Sequence, residues 1–577
     1  MYRCRVKKKE QKSNRKEEVQ MSKKETKKGV GRRDFLKGAA VAAGAVGLAG
    51  LGAKEVKAEP KPWLPAKWGK EADVVVAGAG AAGLPAALEA AERGASVILI
   101  DQHFDVGGSG IISWGGTGLG GGTRVQKQLG IEDSADLIFK DLTDSKYELE
   151  FKKNDRAVVR AFADNSAGTM KWLEEHGVKF LDDVISRCQY NWGWSARRYH
   201  FSSWDEQGTA RSPGRLFSMS SKGKHSGAGI FRPLETAVRG KGVLILVEHK
   251  VTRIVREEPL KGRVLGIEVE NKGKKLYLRA KKGVIIATGG SKGNVQLRRA
   301  FDPRLTEEYQ ATGEPWVFQT GDGIIAAQEI GAQLSSDRGL DSHWLMKRNL
   351  IGCRYVGLFS VAFLPGSPVY ALQRSEGISV KDWQDCILVK KSGLRFHDET
   401  AGLEKGLQGG KGEEGIPFTD AAMADGGGPI WAIFDSDAAK RENWVLAPPN
   451  VDSQYFFSGD TIAELAGKIV PQISASTLQD TVSKYNSYVD AGKDPDFGKP
   501  TPKYKIQSPP FYAAWATPIL HDTRAGLRIN GRCQVIDIYG EVIPGLYAGG
   551  ESAGGMNVFG IGRAIVQGRI AGRDAAA

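Results

Sequence analysis

The residues best suited to chemistry lie between Ala72 and Asp101, in the stretch ADVVVAGAGAAGLPAALEAAERGASVILID. Gly78, Gly80 and Gly83 have the G-x-G-x-x-G spacing of a turn in which the backbone approaches a pyrophosphate at the start of a helix. Asp101 follows 18 residues after Gly83, where a carboxylate can accept hydrogen bonds from a ribose. The pattern therefore predicts a dinucleotide site.

Two strands and a helix must position these residues. Val74–Ala77 and Val97–Ile100 are apolar runs typical of buried parallel strands, and the helix lies between them. Pro85 falls in the first turns of that helix, where proline is tolerated only near the start. Further along, Gly107–Thr123 reads GGSGIISWGGTGLGGGT, which is too rich in glycine for a regular helix or strand. We expect it to be a loop that wraps a ligand.

Later segments also combine a predicted strand or helix with glycine and other small residues at one of its ends. Gly283–Gly290, GVIIATGG, predicts a buried strand whose end lets a cofactor approach the backbone. Thr320–Ala332 predicts a helix with Asp322 suited to capping it, and Gly545–Glu551 predicts a strand that runs into a turn. Gly560–Arg573 predicts a final helix with its N-terminus toward the cofactor. Further strands are expected at 243–247, 251–255, 262–269 and 535–538, and helices at 132–177, 461–469 and 478–489.

The basic charge of the chain is concentrated at its N-terminus. The chain has 577 residues and a net charge of +14, but residues 1–58 hold seventeen Lys and Arg against six Asp and Glu, which leaves +3 for residues 59–577. A nearly neutral main body does not favour nucleic-acid binding. At this length, with 41% hydrophobic residues, two or more domains are expected.

Residues 1–58 are expected to be a twin-arginine export signal, followed by a linker at 59–70. Gly31–Lys37 reads GRRDFLK, an uncharged stretch Gly38–Ala53 follows, and Val56–Ala58 is a plausible cleavage site. The uncharged stretch of 16 residues is too short for a membrane span, so we expect none in the mature chain and a periplasmic or otherwise extracytoplasmic location. An incidental arginine pair is the alternative, and Met21 competes with Met1 as the start.

The cysteines do not indicate a haem or metal site. They form no C-x-x-C or C-x-x-C-H motif, and no cluster with metal-ligand spacing is present in the sequence. Packing in the core is expected for Cys4, Cys188, Cys353, Cys386 and Cys533. The segment Tyr190–Trp204 combines aromatic residues with Arg197 and Arg198, and it either lines the mouth of a site for a planar substrate or packs over the core.

Taken in order, these motifs resemble the soluble fumarate reductase and 3-ketosteroid dehydrogenase superfamily of FAD enzymes. The resemblance runs from Ala72 to about Gly572 and rests on GAGAAG, GGSGIISWGG, ATGG, TGDGI, GLRFHDE, PPFYA, HDTRAGLRI, GLYAGGES and VQGRIAG. It implies an α/β fold in which a discontinuous, Rossmann-like FAD-binding domain (71–343 and 505–577) carries an inserted α+β capping domain (344–504). The active site would lie between the two domains.

The resemblance implies FAD rather than NAD in the glycine turn, held without a covalent bond. Membrane-bound relatives bind FAD through a histidine in the first Gly-rich loop, where this chain has Ser109 or Gly110. Asp322 and Glu551 would hydrogen-bond the ribityl region. The full set of expected cofactor residues is Gly78, Gly80, Ala82, Gly83, Asp101, Gly108, Ser109, Gly110, Gly115, Gly116, Val251, Ala287, Thr288, Gly289, Asp322, Glu551, Ala564 and Ile565.

Two histidines match the substrate site of the family. Fumarate reductases of this type orient a dicarboxylate with two histidines and two arginines, and in some descriptions one more arginine donates the proton. His343 matches the first histidine, and His521 matches the second in the pattern H-x-T-x-G-G, although Ala525 replaces its first glycine. Each histidine could instead be an ordinary core or surface residue.

The family's arginines are absent from their expected places. The catalytic arginine follows an N-E pair, whereas GLRFHDE is followed here by Thr400, and the R-L-G-G-N loop is missing from a shortened stretch after Glu551. Unpaired dicarboxylate charge would cost several kcal/mol per buried ion, so fumarate is not the expected substrate. Arg563 is a candidate for stabilising charge or donating the proton; the alternative is a surface arginine.

The expected reaction is hydride transfer between flavin N5 and a carbon–carbon double bond conjugated to a carbonyl or carboxylate, in the reductive direction. A 3-ketosteroid-type dehydrogenase is one alternative, since Tyr355 and Tyr512 leave it open, and a non-catalytic flavin electron carrier is another. The expected partners are a small-molecule substrate and a periplasmic electron donor or acceptor, such as a multihaem cytochrome or a quinol-linked protein.

Overall fold

In the computed structural model, the apolar run that contains Val74–Ala77 lies inside an eight-stranded sheet, the main sheet. The structure describes residues 63–144, 153–182, 198–203, 215, 218–219, 225–314, 319–335, 343–346, 350–354, 362–363, 368–373, 375–401, 418–556, 558 and 560–577. The strands of the main sheet are Lys70–Ala77, Val97–Ile100, Leu244–Leu246, Lys250–Glu258, Lys261–Asn271, Lys274–Ile286, Gln534–Ile536 and Val542–Ala548.

Five strands of the main sheet are parallel and end level with one another. Ala77 lies opposite both Ile100 and Ile286, and Ile286 lies opposite Ala548. The strands that contain 250–258 and 261–271 form an antiparallel ribbon against 274–286. Because the carboxyl ends coincide, the residues that follow them share one edge of the sheet, the place where α/β folds bind nucleotides. These residues are Gly78, Asp101, Val247, Ala287 and Gly549.

Two helices pack closely on each other beside this edge. Gly83–Glu92 follows the glycine turn, with Pro85 in its first turn as expected, and Ile561–Ala576 ends the chain. A Cβ at Gly568 or Gly572 would lie 2.1 or 2.2 Å from a carbonyl oxygen of the facing segment. The small residues of VQGRIAG therefore allow the two backbones to approach. The other helices of this part are Gly108–Ile111, Arg124–Gln128, Ala135–Thr143, Arg156–Glu175, Ala228–Gly240, Val295–Phe301 and Asp322–Gln328.

The Gly-rich stretch Gly107–Thr123 is more regular than predicted. It contains the short helix Gly108–Ile111 and the strand Gly116–Gly118, which pairs with Tyr199–Phe201. A Cβ at Gly116 would lie 2.3 Å from the ring of Tyr199, so glycine is needed here for packing between strands. Tertiary contacts thus outweigh the entropy that a glycine loses in a regular element.

A second sheet has four antiparallel strands in the order Ile387–Lys390, Ile430–Asp435, Phe511–Trp515 and Phe456–Gly459. The strand Phe511–Trp515 comes from the part of the chain assigned to the FAD-binding domain, so the second sheet extends past residue 504; the other domain boundaries stay predictions. Helices here are Phe418–Met423, Ser436–Glu442, Ile462–Lys468 and Ala475–Ala491. Short strand pairs elsewhere are Leu334–Ser335 with Gly526–Leu527, His343–Met346 with Ile519–Thr523, Leu350–Ile351 with Ile378–Ser379, and Ser218–Met219 with Ala362–Phe363.

Three cysteines are free and buried as predicted, namely Cys353, Cys386 and Cys533; Cys4 and Cys188 lie outside the described residues. The described part of the chain holds no group of three His, Cys, Asp or Glu side chains that could bind a metal ion. Within the same residues, no helix is both long and apolar enough to span a membrane.

Candidate functional site

The glycine turn requires its first and third glycines. Gly78 has a φ of 103° and donates its N–H to the carbonyl of Ile100 at 2.8 Å. A Cβ at Gly78 would lie 2.2 Å from the carbonyl oxygen of Ala287, and one at Gly83 would lie 1.7 Å from the carbonyl oxygen of Gly78. The structure therefore brings the glycine turn against the end of the ATGG strand.

Gly80 lies at the open side of this turn. The atom nearest to a Cβ built on Gly80 is the Cα of Gly108, at 3.9 Å, and Gly107 donates its N–H to the carbonyl of Ala79 at 2.8 Å. Two glycine backbones thus face each other beside the N-terminus of a ten-residue helix. Such a surface, free of side chains and at the positive end of a helix dipole, fits a pyrophosphate.

Asp101 holds the glycine turn in place. Its carboxylate accepts hydrogen bonds from the N–H groups of Ala79 at 2.7 Å and of His103 at 2.9 Å. Burial raises the pKa of Asp101, although both N–H groups act to lower it. His249 donates its N–H to the carbonyl of Asp101 at 2.7 Å, which brings the strand that contains buried Val251 to the same edge. Each carboxylate oxygen keeps a second lone pair, so binding of a ribose hydroxyl stays a prediction compatible with this geometry.

The turn after GLYAGG is braced from two sides. Ser552 Oγ donates to the carbonyl of Gly289 at 3.0 Å, and Gln567 Oε1 accepts the N–H of Gly550 at 2.9 Å. A Cβ at Gly550 would lie 3.3 and 3.4 Å from the Cβ atoms of Ala82 and Ala564. Expected cofactor residues from three distant parts of the sequence therefore meet here. Thr288 Oγ1 lies 3.5 Å from Ser552 Oγ at the same edge, and Ile565, next to Ala564, is fully buried.

Asp322 differs in one respect from the prediction. Its helix is preceded by Gly321, with a φ of 74°, so Asp322 is the first residue of the helix and not its cap. The carboxylate instead accepts a hydrogen bond from Thr320 Oγ1 at 2.6 Å and pairs with Lys250 Nζ at 3.0 Å. A lysine that neutralises Asp322 was not found from the sequence.

The expected cofactor glycines of the first Gly-rich loop pack against protein atoms. A Cβ at Gly110 would lie 2.4 Å from the ring of Phe231, and one at Gly115 would lie 2.3 Å from Ser202 Oγ. These contacts explain the glycines without a ligand, so the role of Gly110, Gly115 and Gly116 toward FAD stays a prediction. Ser109 lies in the same loop and accepts a hydrogen bond from Gln319 Nε2 at 3.0 Å.

The two candidate histidines lie on neighbouring strands. His343–Met346 pairs with Ile519–Thr523, with His343 opposite Thr523, and only the backbone of His343 is described. The pairing shifts register between Leu520 and Asp522, so His521 occupies an irregularity of the strand. Bulges of this kind redirect a side chain and are common beside active sites.

His521 belongs to a charged cluster that sequence analysis did not find. His521 Nδ1 lies 2.9 Å from Asp522 Oδ1, and Lys292 Nζ donates to the main-chain carbonyl of His521 at 2.7 Å. Burial alone would raise the pKa of Asp522, but His521, Arg524 and Lys292 hold it well below its usual range. The signal that was available was Lys292 itself, a lysine directly after ATGGS.

Glu551 joins this cluster to the expected cofactor edge. Its Oε2 lies 3.9 Å from Lys292 Nζ, and its side chain is 21% exposed. Burial raises the pKa of Glu551, with Asp522 adding to the rise while Lys292 and Arg563 oppose it. The cluster therefore places a carboxyl group that resists ionisation beside a charged aspartate and a histidine.

Arg563 is buried, with 5% exposure, which excludes the alternative of a surface arginine. Its guanidinium donates to the carbonyls of Met556 at 2.7 Å and Gly550 at 3.1 Å. Arg563 thus braces the turn that carries Glu551. Its predicted role in stabilising charge or donating a proton stays a prediction.

Two other arginines of interest are occupied elsewhere. Arg198 belongs to the aromatic segment Tyr190–Trp204. It is fully buried and pairs with Asp133 and Asp141 at 2.6 and 2.7 Å, so this residue packs in the core. Residues 183–197 and 204 lie outside the described part. Arg395 of GLRFHDE pairs with Glu399 and Asp494 at 2.9 and 2.8 Å. Both guanidiniums are therefore paired with carboxylates of the chain itself.

Comparison with known proteins gives the family. The model of the family described as "FAD binding domain" matches residues 73–562. The chain is 29% identical over 509 residues to a protein of Shewanella frigidimarina named as a probable fumarate reductase, covering 87% of this chain and 74% of that protein. It is also 29% identical over 548 residues to a urocanate reductase of Eggerthella lenta, covering 92% and 79%. Among solved structures, the open conformation of a flavocytochrome c3 fumarate reductase aligns with a TM-score of 0.62 at 26% identity, over 96% of this chain and 82% of that one.

The residues at the edge of the main sheet fit the cofactor of this family. The glycine turn leaves backbone for a pyrophosphate, Asp101 lies at the end of the second strand, and the ATGG and GLYAGGES turns close the same edge. The chain therefore belongs to the FAD binding domain family and is a FAD-dependent oxidoreductase.

Proposed function

We propose that the protein reduces a carbon–carbon double bond conjugated to a carbonyl or carboxylate. The observation that carries this proposal is the position of His521, which lies at a strand irregularity and is joined through Lys292 to Glu551 at the cofactor edge. When bound, FAD supplies the hydride chemistry at N5. A polar group that binds the carbonyl or carboxylate must lie beside the flavin, and His521 is our candidate for that role.

The protein's own residues would orient and polarise the substrate. His521 would bind the carbonyl or carboxylate oxygen, so that negative charge developing there is stabilised. Asp522 lies 2.9 Å from Nδ1 of His521 and would favour a proton on that nitrogen, so that Nε2 would bind the substrate. Lys292 fixes the backbone of His521 by donating to its main-chain carbonyl. Asp522 and Lys292 are therefore positioning residues.

The proposed substrate class follows from the positive charges that the family uses to hold a dicarboxylate. The two relatives are named for the reduction of fumarate and urocanate, and the arginines that hold a dicarboxylate in the family are absent from their expected places in this sequence. A substrate with one carboxylate, or with an uncharged enone, would leave less buried charge unpaired than fumarate. We therefore favour an enoate or enone over fumarate.

The electron donor is proposed to be a separate protein outside the cytoplasm. The twin-arginine motif supports export, and the sequence has no attached-haem motif and no second nucleotide fingerprint. A multihaem cytochrome or a quinol-linked protein would then supply electrons. Rapid reduction of the bound flavin by NADH at physiological concentration would contradict this part of the proposal.

A reoxidation screen tests the reaction. The flavin is reduced with dithionite without oxygen, and enoates, enones, aryl acrylates, fumarate and 3-ketosteroids are added in turn while the flavin spectrum is recorded. We expect rapid reoxidation by at least one enoate or enone and none by fumarate. Reoxidation by fumarate alone would contradict the substrate class, and no reoxidation by any of them would favour an electron carrier.

A further inference from the structure

Gln319 lies where two segments expected to bind FAD meet. Its side-chain Nε2 donates to Ser109 Oγ of the first Gly-rich loop at 3.0 Å, and its main-chain carbonyl accepts the N–H of Gly293 at 2.9 Å. A Cβ at Gly289 would lie 3.2 Å from its amide nitrogen, so the amide rests on the backbone of the ATGG turn. Only 7% of the residue is exposed.

One end of this buried amide lacks a hydrogen-bond partner. Oε1 of Gln319 is buried and has none among the residues that the structure describes. The two ends of an amide can be exchanged, but then the nitrogen would be left over, because Ser109 satisfies only one end. Leaving a buried polar atom unsatisfied costs about 1–3 kcal/mol, so a group outside these residues is expected to satisfy it.

We propose that Gln319 is a further FAD-binding residue, and that its free amide end makes a hydrogen bond to the cofactor. Ser109 Oγ accepts from Gln319, so its hydroxyl hydrogen remains available as a donor. The pair thus offers an acceptor and a donor side by side, which complements the alternating C=O and N–H groups of a flavin ring or the hydroxyls of its ribityl chain.

This pair also replaces a covalent attachment. Ser109 stands in the loop where the family resemblance puts the histidine that binds FAD covalently in membrane-bound relatives. Hydrogen bonds from Ser109 and Gln319 would anchor the cofactor at that point instead. The inference depends on FAD binding alone and is independent of the substrate proposed above.

Titration of the apoprotein with FAD tests the inference. Gln319→Ala is compared with the natural protein and with the control variant Gln333→Ala. Oε1 of Gln333 accepts a hydrogen bond of 2.8 Å from exposed Arg528, away from the cofactor edge. We expect Gln319→Ala to raise the dissociation constant of FAD about tenfold, the equivalent of about 1.4 kcal/mol. We also expect the melting temperature of its apoprotein to change little, because loss of the hydrogen bond to Ser109 is offset by removal of an unsatisfied buried atom. Gln333→Ala should leave the FAD affinity as it is.

A second variant keeps the test decisive if Gln319→Ala does not fold. Gln319→Glu has the same shape but adds a negative charge, so it should weaken FAD binding and make the midpoint potential of the flavin more negative. If the variant that folds keeps the natural FAD affinity while its apoprotein melts earlier, Gln319 is a packing residue and the inference is wrong. Unchanged affinity and potential in Gln319→Glu would overturn it equally.

Discussion

Lys292 and His521, which are 229 residues apart, are joined by a hydrogen bond of 2.7 Å from the ammonium group of Lys292 to the main-chain carbonyl of His521. The same ammonium group lies 3.9 Å from Glu551. One buried cation therefore connects the end of the ATGG strand, the strand of the candidate histidine and the GLYAGGES turn. Thr312 Oγ1 donates to the same carbonyl at 2.9 Å, so Lys292 is one of two side chains that hold the backbone of His521 at this edge.

Replacing Lys292 should damage both stability and turnover. Lys292→Met leaves Asp522 and Glu551 buried without their shared cation, and removing one partner of a buried ionic group costs about 3 kcal/mol. Urea unfolding and steady-state turnover measure the two effects. Lys468→Met is the control, because Lys468 pairs with Glu464 at the surface. A change in Lys292→Met no larger than in this control would show that the cluster has no role in positioning His521.

Gly568→Ala should be destabilising although alanine favours helices. The new Cβ would lie 2.1 Å from the carbonyl oxygen of Ala82, so the last helix must move away from the glycine turn, at a cost of about 1–3 kcal/mol. In the control Gly168→Ala, no atom lies within 4 Å of the new Cβ, and a gain of about 0.5–1 kcal/mol is expected. Thermal unfolding compares the two. Equal shifts in both variants would contradict the close packing of the two helices.

The second sheet should lose stability in acid through Glu399. Burial alone would raise the pKa of Glu399, but Lys499 and Arg395 lower it from 4.5 to about 2. Because the folded-state pKa is depressed, the stabilisation is complete above pH 4.5 and is lost as the pH falls toward about 2, in total about 3 kcal/mol. Urea unfolding between pH 7 and pH 3 should show a shallower pH dependence for Glu399→Gln. Parallel pH profiles for the two proteins would contradict this assignment.

FAD should leave the protein on denaturation. The first Gly-rich loop has Ser109 and Gly110 where the covalent histidine of membrane-bound relatives is expected, so no bond to the flavin should survive unfolding. After heat or acid precipitation, the supernatant should be yellow and the pellet colourless. Yellow colour that stays with the washed pellet would show a covalent attachment.

Short-range sequence patterns predicted the strands and helices at the cofactor edge of the main sheet well. Val97–Ile100 is a strand over the predicted residues, and the final helix begins at Ile561, one residue after its predicted start. Both segments are defined by short-range features, an apolar run and a glycine before a helix. The strand inside Gly107–Thr123 was missed because it pairs with Tyr199–Phe201, and the short helix because Gly110 packs against Phe231; both partners are distant in sequence.

The charged cluster could not be predicted from spacing. Neighbouring residues of a regular strand point to opposite faces, so a contact between His521 and Asp522 requires the irregularity that pairing with His343–Met346 introduces. The position of Lys292 depends likewise on a carbonyl 229 residues away. Arg563 was a candidate from the sequence for stabilising charge or donating a proton, but its hydrogen bonds to two main-chain carbonyls depend on the fold of the preceding turn.

The central claim, that His521 binds the activated group of an unsaturated substrate beside the flavin, is tested most directly by anaerobic stopped-flow reoxidation. Reduced natural protein and His521→Gln, both saturated with FAD, are mixed with the best enoate or enone from the screen. We expect the rate of flavin reoxidation to fall at least a hundredfold in His521→Gln, in the range that loss of one polarising group gives. An unchanged rate with FAD still bound would contradict the account and place the substrate site elsewhere.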